Sequence, residues 1–397
     1  MMEKLAVLGQ GYVGLPLAVS AAENGYQVLG YDTSDSLIAK LNKGISSVED
    51  IEGQRLSQVI AAGKYRASSK LEDIYGFDVF VICVPTPLNV KAKPDLSHVI
   101  NATKAIIKCV NQESLVILES TVAPGTTRDV VAALLSKSAS IDHHNLNLAY
   151  SPERTDPRSG QWNLKNTPKL VAGINSKSRD KAVKFYSKFV DNLIKCDSLE
   201  VAETAKLLEN SFRLVNISFI NEMSQFCRNL GIDINDVIES AATKPYGFMP
   251  FYPSIGVGGH CIPVDPVYLS LAARNLKSPI KSIDLASEIN KNLPRYFAAK
   301  AQEKLGGLKN KKILVIGIAY KSNISDVRET PVKALINELR DKGAKVFWND
   351  ELVRVWNNEE SSEVSTGYDL AIIATHHSYV DLSKLGDTPI LDSRGSI

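Results

Sequence analysis

Leu5-Ala6-Val7-Leu8-Gly9-Gln10-Gly11-Tyr12-Val13-Gly14 decides how this chain begins to fold. A short apolar run enters glycines spaced as GxGxxG, and a helix-like pattern follows to about Asn24. The first glycine permits a tight turn. The second lets backbone approach a pyrophosphate, and the third lets helix and strand pack closely. The helix N-terminus then offers N–H groups to phosphate oxygens. Gln27–Tyr31 reads as a second strand ending at Asp32, which completes a βαβ unit. A carboxylate there accepts from ribose hydroxyls and repels a 2′-phosphate, so NAD is expected rather than NADP. The glycine spacing alone is weak; its place between strand and helix, with Asp32 behind it, gives it weight.

Further strands follow. Val79–Val84 stops at Pro85-Thr86-Pro87, Val116–Glu119 at Ser120-Thr121, and Asn147–Tyr150 at Ser151-Pro152-Glu153. Strands alternating with helices imply a parallel, doubly wound sheet whose strand ends carry functional loops. From Leu199 to about Leu230 the spacing predicts one long helix, with shorter helices to about Ile289. A second α/β region starts near Lys311, where Ile313–Ile316 leads into Gly317, and Ala371–Thr375 is a later strand. The expected fold class is α/β, with two Rossmann-like doubly wound domains joined by a long central helix and a helical dimerisation region. The expected divisions are 1–198, a dinucleotide-binding domain; 199–300, a central helical domain with a cysteine loop; and 301–397, a second Rossmann-like domain. A long helix between two α/β domains is a natural subunit interface, so a homodimer or higher homo-oligomer is expected.

Composition sets the bounds. A chain of 397 residues is too long for one ordinary core. The apolar and charged fractions, 44% and 23%, are those of a globular protein. A formal net charge of +2 gives no field that favours nucleic acid. No run approaches the ~18 apolar residues of a membrane span, so no membrane is expected. The N-terminus, Met1 to Gly9, lacks a basic n-region and a cleavage site, which leaves the cytoplasm as the expected location. The five cysteines are odd in number, widely spaced and without CxxC, which argues against disulfides and structural zinc.

Gly256-Val257-Gly258-Gly259-His260-Cys261-Ile262-Pro263-Val264-Asp265-Pro266 carries the chemistry. Glycines let backbone approach a substrate, and a helix N-terminus lowers a thiol pKa. Asp265 follows Cys261 at helical spacing, which puts both on one face. A thiolate beside a nicotinamide suits aldehyde oxidation through thiohemiacetal and thioester. A lone cysteine is more often a small buried apolar residue, and Cys83, Cys109, Cys196 and Cys227 fit that description. His260 has no second ligand at helical spacing, so no metal is expected.

In these segments the chain resembles the UDP-glucose/GDP-mannose dehydrogenase family. The likeness rests on the glycine fingerprint, Val84-Pro85-Thr86-Pro87, Ser120-Thr121-Val122-Ala123-Pro124-Gly125-Thr126 and Ser151-Pro152-Glu153-Arg154. It continues in Glu203-Thr204-Ala205-Lys206-Leu207-Leu208-Glu209-Asn210, the cysteine loop, and Gly317-Ile318-Ala319-Tyr320-Lys321 through Asp326-Val327-Arg328-Glu329-Thr330. The resemblance implies that Cys261 is the nucleophile and that Lys206 and Asn210, on one helix face, steady the developing oxyanion. Asp265 and Lys206 would assist proton transfer; Thr121 and Glu153 would position and activate the hydrolytic water. It implies cofactor contacts from Gly9, Gly11, Tyr12, Val13, Gly14, Asp32, Pro85, Thr86, Thr121 and Arg328. Substrate contacts would come from Glu153, Arg154, Lys206, Asn210, Tyr252, Gly258, Tyr320 and Lys321, with residues 301–397 binding a UDP-sugar.

The branches differ around the cysteine. UDP-glucose enzymes of the family carry Ser before it and Phe-Pro-Lys-Asp after it, whereas this chain has His260 and Ile262-Pro263-Val264-Asp265. No arginine lies between Arg228 and Arg274, where that branch places one. Thr243 to Pro253 looks most like the UDP-N-acetylglucosamine 6-dehydrogenases. The resemblance therefore implies four-electron oxidation of a UDP-N-acetylhexosamine, best UDP-N-acetylglucosamine, to the uronic acid for polysaccharide synthesis. UDP-N-acetylmannosamine and UDP-glucose are the alternatives. A two-electron hydroxyacid dehydrogenase lacks use for the cysteine loop, and a non-catalytic sugar-nucleotide binder would not need Cys261 and Lys206.

Overall fold

A computed structural model describes residues 3–46, 48, 51, 53–137, 145–155 and 161–395. Met1 and Met2, where the N-terminal reading begins, and Ile397 lie outside the described residues. The chain forms two compact units, Met1–Leu208 and Glu209–Ile397.

The first unit is built on an eight-stranded sheet: β1 (Lys4–Leu8), β2 (Gln27–Tyr31), β3 (Tyr65–Ser68), β4 (Val79–Ile82), β5 (Leu115–Leu118), β6 (Asn147–Tyr150), β7 (Lys169–Gly173) and β8 (Leu193–Lys195). The order is β3-β2-β1-β4-β5-β6-β7-β8. The switch lies at β1, between β2 and β4, where the glycine turn leaves the sheet. The expectation of a parallel sheet holds from β3 to β6. At β7 the chain reverses and pairs antiparallel with β6, while β8 runs parallel to β7. The strands read as apolar runs because both faces are covered: Leu5, Val7 and Val81 belong to one core, Ala6, Leu8 and Ile82 to the other. Each large side chain so buried contributes about 1.5–3 kcal/mol.

The long helix is found at Leu199–Leu230, as the spacing predicts, and the boundary between the units falls within it. The following helices depart from expectation in length. Lys281–Leu305 is one helix of 25 residues, with Pro294 inside it, and not a series of short ones ending near Ile289. Pro294 is buried beside Leu293, Phe297 and Ala298, so tertiary packing overrides the breaker signal.

The second unit also holds a parallel sheet, β10-β9-β13-β14, formed by β9 (Lys312–Ile316), β10 (Lys345–Asn349), β13 (Leu370–Ile373) and β14 (Ile390–Asp392). A small antiparallel pair, β11 (Val355–Trp356) and β12 (Glu359–Glu360), stands apart from it. Its first turn repeats that of the first unit. Gly9 N–H donates to Tyr31 O and Gly317 N–H to Asn349 O, both at 2.8 Å.

Candidate active site

The three glycines of the fingerprint do different work. Gly9 has φ +93°, and a Cβ there would lie 2.8 Å from Cys83 O. A Cβ at Gly14 would lie 1.9 Å from Gly9 O, so the helix sits hard on the turn. Gly11 meets nothing within 4 Å, which leaves open space at the N-terminus of the Gly14–Glu23 helix. Asp32 receives Gln10 N–H on Oδ2 at 2.9 Å and Ser34 N–H on Oδ1 at 3.0 Å. Each oxygen keeps a second lone pair for a ribose hydroxyl. An open glycine, a helix N-terminus and an anchored carboxylate fit a dinucleotide. Gln10 was not singled out from sequence. It is fully buried, donates to Val7 O at 2.9 Å and accepts from Tyr65 OH at 2.9 Å, and so props the turn.

The matching turn of the second unit is closed to such a ligand. Ile318 N–H reaches Asp350 Oδ2 at 3.0 Å, as Gln10 N–H reaches Asp32. Asp350, however, is fully buried and also receives Ala319 N–H at 3.2 Å, His377 Nε2 at 3.1 Å and Tyr379 OH at 3.2 Å. His377 Nδ1 accepts Asn323 N–H at 3.0 Å, so its proton sits on Nε2 and points at Asp350. These bonds tie together the loops after β9, β10 and β13, the strand ends that carry Tyr320, Lys321 and Ser322. Arg394, which the sequence reading passed over, joins them by donating to Ser322 Oγ at 3.1 Å.

Cys261 is the exposed cysteine of the five, and none is disulfide-bonded. Burial pushes the thiols of Cys83, Cys109 and Cys196 up, which makes them poor nucleophiles. Cys261 lies in the turn ahead of the Asp265–Asn275 helix rather than on it, and Asp265 N–H donates to Cys261 O at 2.8 Å. Its sulfur is 3.6 Å from His260 Nδ1. Partial desolvation and the nearby Arg328 charge hold His260 below its ordinary value, against Asp326, and so favour the neutral imidazole. The glycines ahead of the cysteine answer to Tyr320. A Cβ at Gly258 would lie 2.5 Å from Tyr320 Cβ, and one at Gly259 2.9 Å from its ring. Gly259 N–H also donates to Arg328 O at 3.0 Å, so the cysteine loop is seated on the 320–331 segment. Tyr320, expected to contact substrate, packs on this loop. Arg328 is forked onto Asp326, with Nη2–Oδ2 at 2.5 Å and Nε within 3.0 Å of both oxygens.

Asp265 is buried, and its Oδ2 receives Asn210 Nδ2 at 2.5 Å. Lys206, one turn earlier on the long helix, is 9% exposed. Glu203 is fully buried on the same helix. It accepts Gly125 N–H at 2.6 Å, Thr127 N–H at 2.9 Å and Thr127 Oγ1 at 2.6 Å. It therefore clamps the loop that follows Thr121. Burial pushes its carboxyl up to about 7 in spite of those donors.

Glu153 follows β6. Its Oε1 accepts Arg154 N–H at 2.7 Å and both Thr155 N–H and Oγ1 at 2.6 Å; Oε2 faces Lys169 Nζ at 3.3 Å. Arg154 donates through Nη1 to Pro168 O at 2.6 Å. Thr121, Pro85 and Thr86 lie beyond the ends of β5 and β4, beside the glycine turn in strand order. Tyr252 is exposed on the 244–253 segment. No cluster of metal ligands occurs among the described residues.

The comparisons agree with this geometry. Residues 3–190, 200–292 and 314–395 match, in turn, the NAD-binding, central and UDP-binding domains of the UDP-glucose/GDP-mannose dehydrogenase family. The chain is 35% identical over 379 residues to UDP-N-acetyl-D-mannosamine dehydrogenase of Pyrococcus horikoshii, covering 94% of this chain and 89% of that protein. It is 32% identical over 388 residues to UDP-N-acetyl-D-glucosamine 6-dehydrogenase of Salmonella typhi, covering 94% and 90%. The solved UDP-D-ManNAc dehydrogenase of Pyrococcus horikoshii superposes with a TM-score of 0.90 at 35% identity, over 98% of this chain and 95% of that one. The chain belongs to the UDP-glucose/GDP-mannose dehydrogenase family and carries its NAD-binding, central and UDP-binding domains in that order.

Proposed function

We propose that this NAD-dependent UDP-sugar 6-dehydrogenase oxidises a UDP-N-acetylhexosamine to its uronic acid, with Cys261 as covalent nucleophile. The observation that carries the reading is the exposed Cys261, seated in a glycine loop at the entry of a helix. When bound, NAD takes up the hydride of each of two oxidations. The chain supplies the rest. The Cys261 thiolate adds to the substrate's 6-aldehyde to give a thiohemiacetal, whose oxidation leaves a thioester. Lys206, a largely buried residue of the long helix, balances charge on the alkoxide and oxyanion. Asn210 and Asp265, hydrogen-bonded to each other, hold the polar side of the site in register. Thr121 and Glu153 orient the water that releases the acid. Gly9, Gly11, Gly14, Asp32 and the 85–86 loop hold the cofactor. Lys321 and its neighbouring loops hold the UDP group. The functional division is threefold, as the expected segments 1–198, 199–300 and 301–397 have it.

UDP-N-acetylglucosamine is the substrate we favour, on the likeness of residues 243–253. The mannosamine epimer is the second reading, because the 35% identical archaeal relative bears that name. A homodimer is proposed as well. Phe212, Phe219 and Phe226 recur every seven residues on the long helix, each about half exposed. A repeating apolar stripe of this kind is suited to a second copy of the same helix.

The test mixes protein and NAD with UDP-glucose and the three UDP-N-acetylhexosamines, and counts NADH per sugar consumed. Two NADH with one hexosamine is expected and names the epimer; one NADH, or none, ends the thioester reading. Cys261→Ser should abolish uronate while NAD affinity stays within about two-fold, since it removes the nucleophile alone.

A further inference from the structure

Glu153 does not stand alone. Behind it the fold buries a second carboxylate and the lysine that joins them. Lys169 opens β7 and is 3% exposed. Its Nζ lies 3.3 Å from Glu153 Oε2 and 3.2 Å from Glu119 Oε1. Glu119 is 2% exposed, directly after β5 and two residues before Thr121. Tyr186, at the end of the Ser176–Tyr186 helix, donates its hydroxyl to Glu119 Oε1. The ammonium also sits 5.1 Å from the centre of the Tyr186 ring. Cys83, after β4, is close enough for the Glu119 charge to push its thiol up further. Two carboxylates thus share one buried ammonium.

The two are not equivalent. Every oxygen of Glu153 is occupied: three donors on Oε1, the ammonium on Oε2. Glu119 has Tyr186 and Lys169 on Oε1, and its buried Oε2 has no hydrogen-bond partner. A carboxylate that accepts four donors is a weak base, and a desolvated one with an unserved oxygen is a stronger base. A proton entering the cluster is therefore held less well where it arrives than one carboxylate further in.

We propose that Glu119 is the proton store of this site, and that Lys169 links it to Glu153 while holding Glu153 as an oriented carboxylate. Both are positioning residues for the hydrolytic step. The proposal rests on the reading of Glu153 as the group that orients the hydrolytic water. In that step water oxygen bonds the thioester carbonyl carbon, and a water proton passes to Glu153 Oε2. The Lys169 ammonium gives a proton to Glu119, and the amine so formed takes the proton from Glu153. The C–S bond then breaks. Thioester, water and the Glu119 carboxylate become carboxylic acid, Cys261 thiolate and protonated Glu119. Protons and charge balance, and Lys169 and Glu153 end as they began. Titration agrees with the geometry. Burial pushes Glu119 up to about 6, Lys169 opposing this and Glu153 adding to it. Although burial works against its charge, Glu153 is held down at about 2 by Lys169 and the Thr155 and Arg154 donors.

The test compares wild type, Glu119→Gln, Glu153→Gln and Lys169→Arg as full chains. Glu119→Gln leaves a one-to-one Lys169–Glu153 pair and is expected to fold. The first readout needs no substrate. Difference infrared titration should reveal two buried carboxylic acids, Glu203 forming as pH falls through about 7 and a second forming through about 6; the second should be lost in Glu119→Gln and kept in Glu153→Gln. The second is turnover. In Glu119→Gln kcat should fall about 10–100-fold, the usual worth of a placed proton acceptor. KM should hold, the acidic limb of the pH profile should vanish, and acyl-enzyme on Cys261 should accumulate. Lys169→Arg keeps the charge beside both carboxylates but cannot release a proton, so it should fold and yet lose kcat as Glu119→Gln does. A band lost with Glu153→Gln instead, or an unchanged pH profile in Glu119→Gln, would overturn the proposal. Failure of wild type to yield two NADH per sugar would instead strike the proposed function, and the infrared result would still stand.

Discussion

Asp32 and Lys169 are single residues whose removal separates binding from stability. Asp32→Ala deletes the carboxylate that anchors Gln10 and Ser34 N–H and that is proposed to meet the ribose. Losing a charge-assisted hydrogen bond costs about 1.5–3 kcal/mol, so NAD should bind roughly 10- to 100-fold more weakly in titration calorimetry. Unchanged affinity would put the ribose contact elsewhere. Lys169→Met should destabilise the first unit by about 3–5 kcal/mol, because it strands buried carboxylates. The loss in urea unfolding should be larger at pH 8 than at pH 5.5, where protonated Glu119 leaves one anion rather than two. Equal losses at both pH values would mean that Glu119 does not titrate between them. Neither Lys169 nor Glu119 could be singled out from sequence. Each is a charged residue at the edge of an apolar run, and their partners come from other strands.

At the scale of elements, the start of the long helix is bound to the loop after β5 by Glu203. The carboxyl rises from 4.5 unfolded to about 7 folded. A raised folded value means that the folded state holds the proton more tightly. The stabilisation is therefore complete below about 4.5 and is lost as pH rises through about 7. A gap of that size is worth on the order of 3 kcal/mol. Glu203→Gln cannot titrate, so its Tm should fall less than that of wild type between pH 5 and 8.5. Parallel curves would show that the three donors keep Glu203 ionised throughout. The glycine turn, the strand ends and the 199–230 helix were legible because they depend on neighbours in sequence. Reversal of β7, the single 281–305 helix around Pro294 and the seating of Gly258 and Gly259 on Tyr320 were not, because they depend on what packs there.

At the scale of the molecule, the long helix leaves Phe219 and Phe226 59% and 58% exposed. Such rings on a regular face cost solubility unless something covers them. Phe219→Asp with Phe226→Asp should convert the proposed dimer to monomer in analytical ultracentrifugation, with each unit still folded by circular dichroism. A dimer that survives both charges would place the subunit contact on another face. No described helix is long and apolar enough to cross a membrane.

The amino-acid sequence alone determined the dinucleotide fingerprint, the cysteine loop, the long helix and the family, since these reside in short ordered segments read within a turn or two. Tertiary structure decided which charges are buried together. Glu119 meets Tyr186 across 67 residues, and Glu203 meets Thr127 across 76. It also decided that Asp32 stays open to a ligand while Asp350, at the matching place, is filled by His377 and Tyr379. The reason is physical: turns and helices follow from local backbone chemistry, whereas desolvation and charge pairing depend on which distant strands the packed sheet sets side by side.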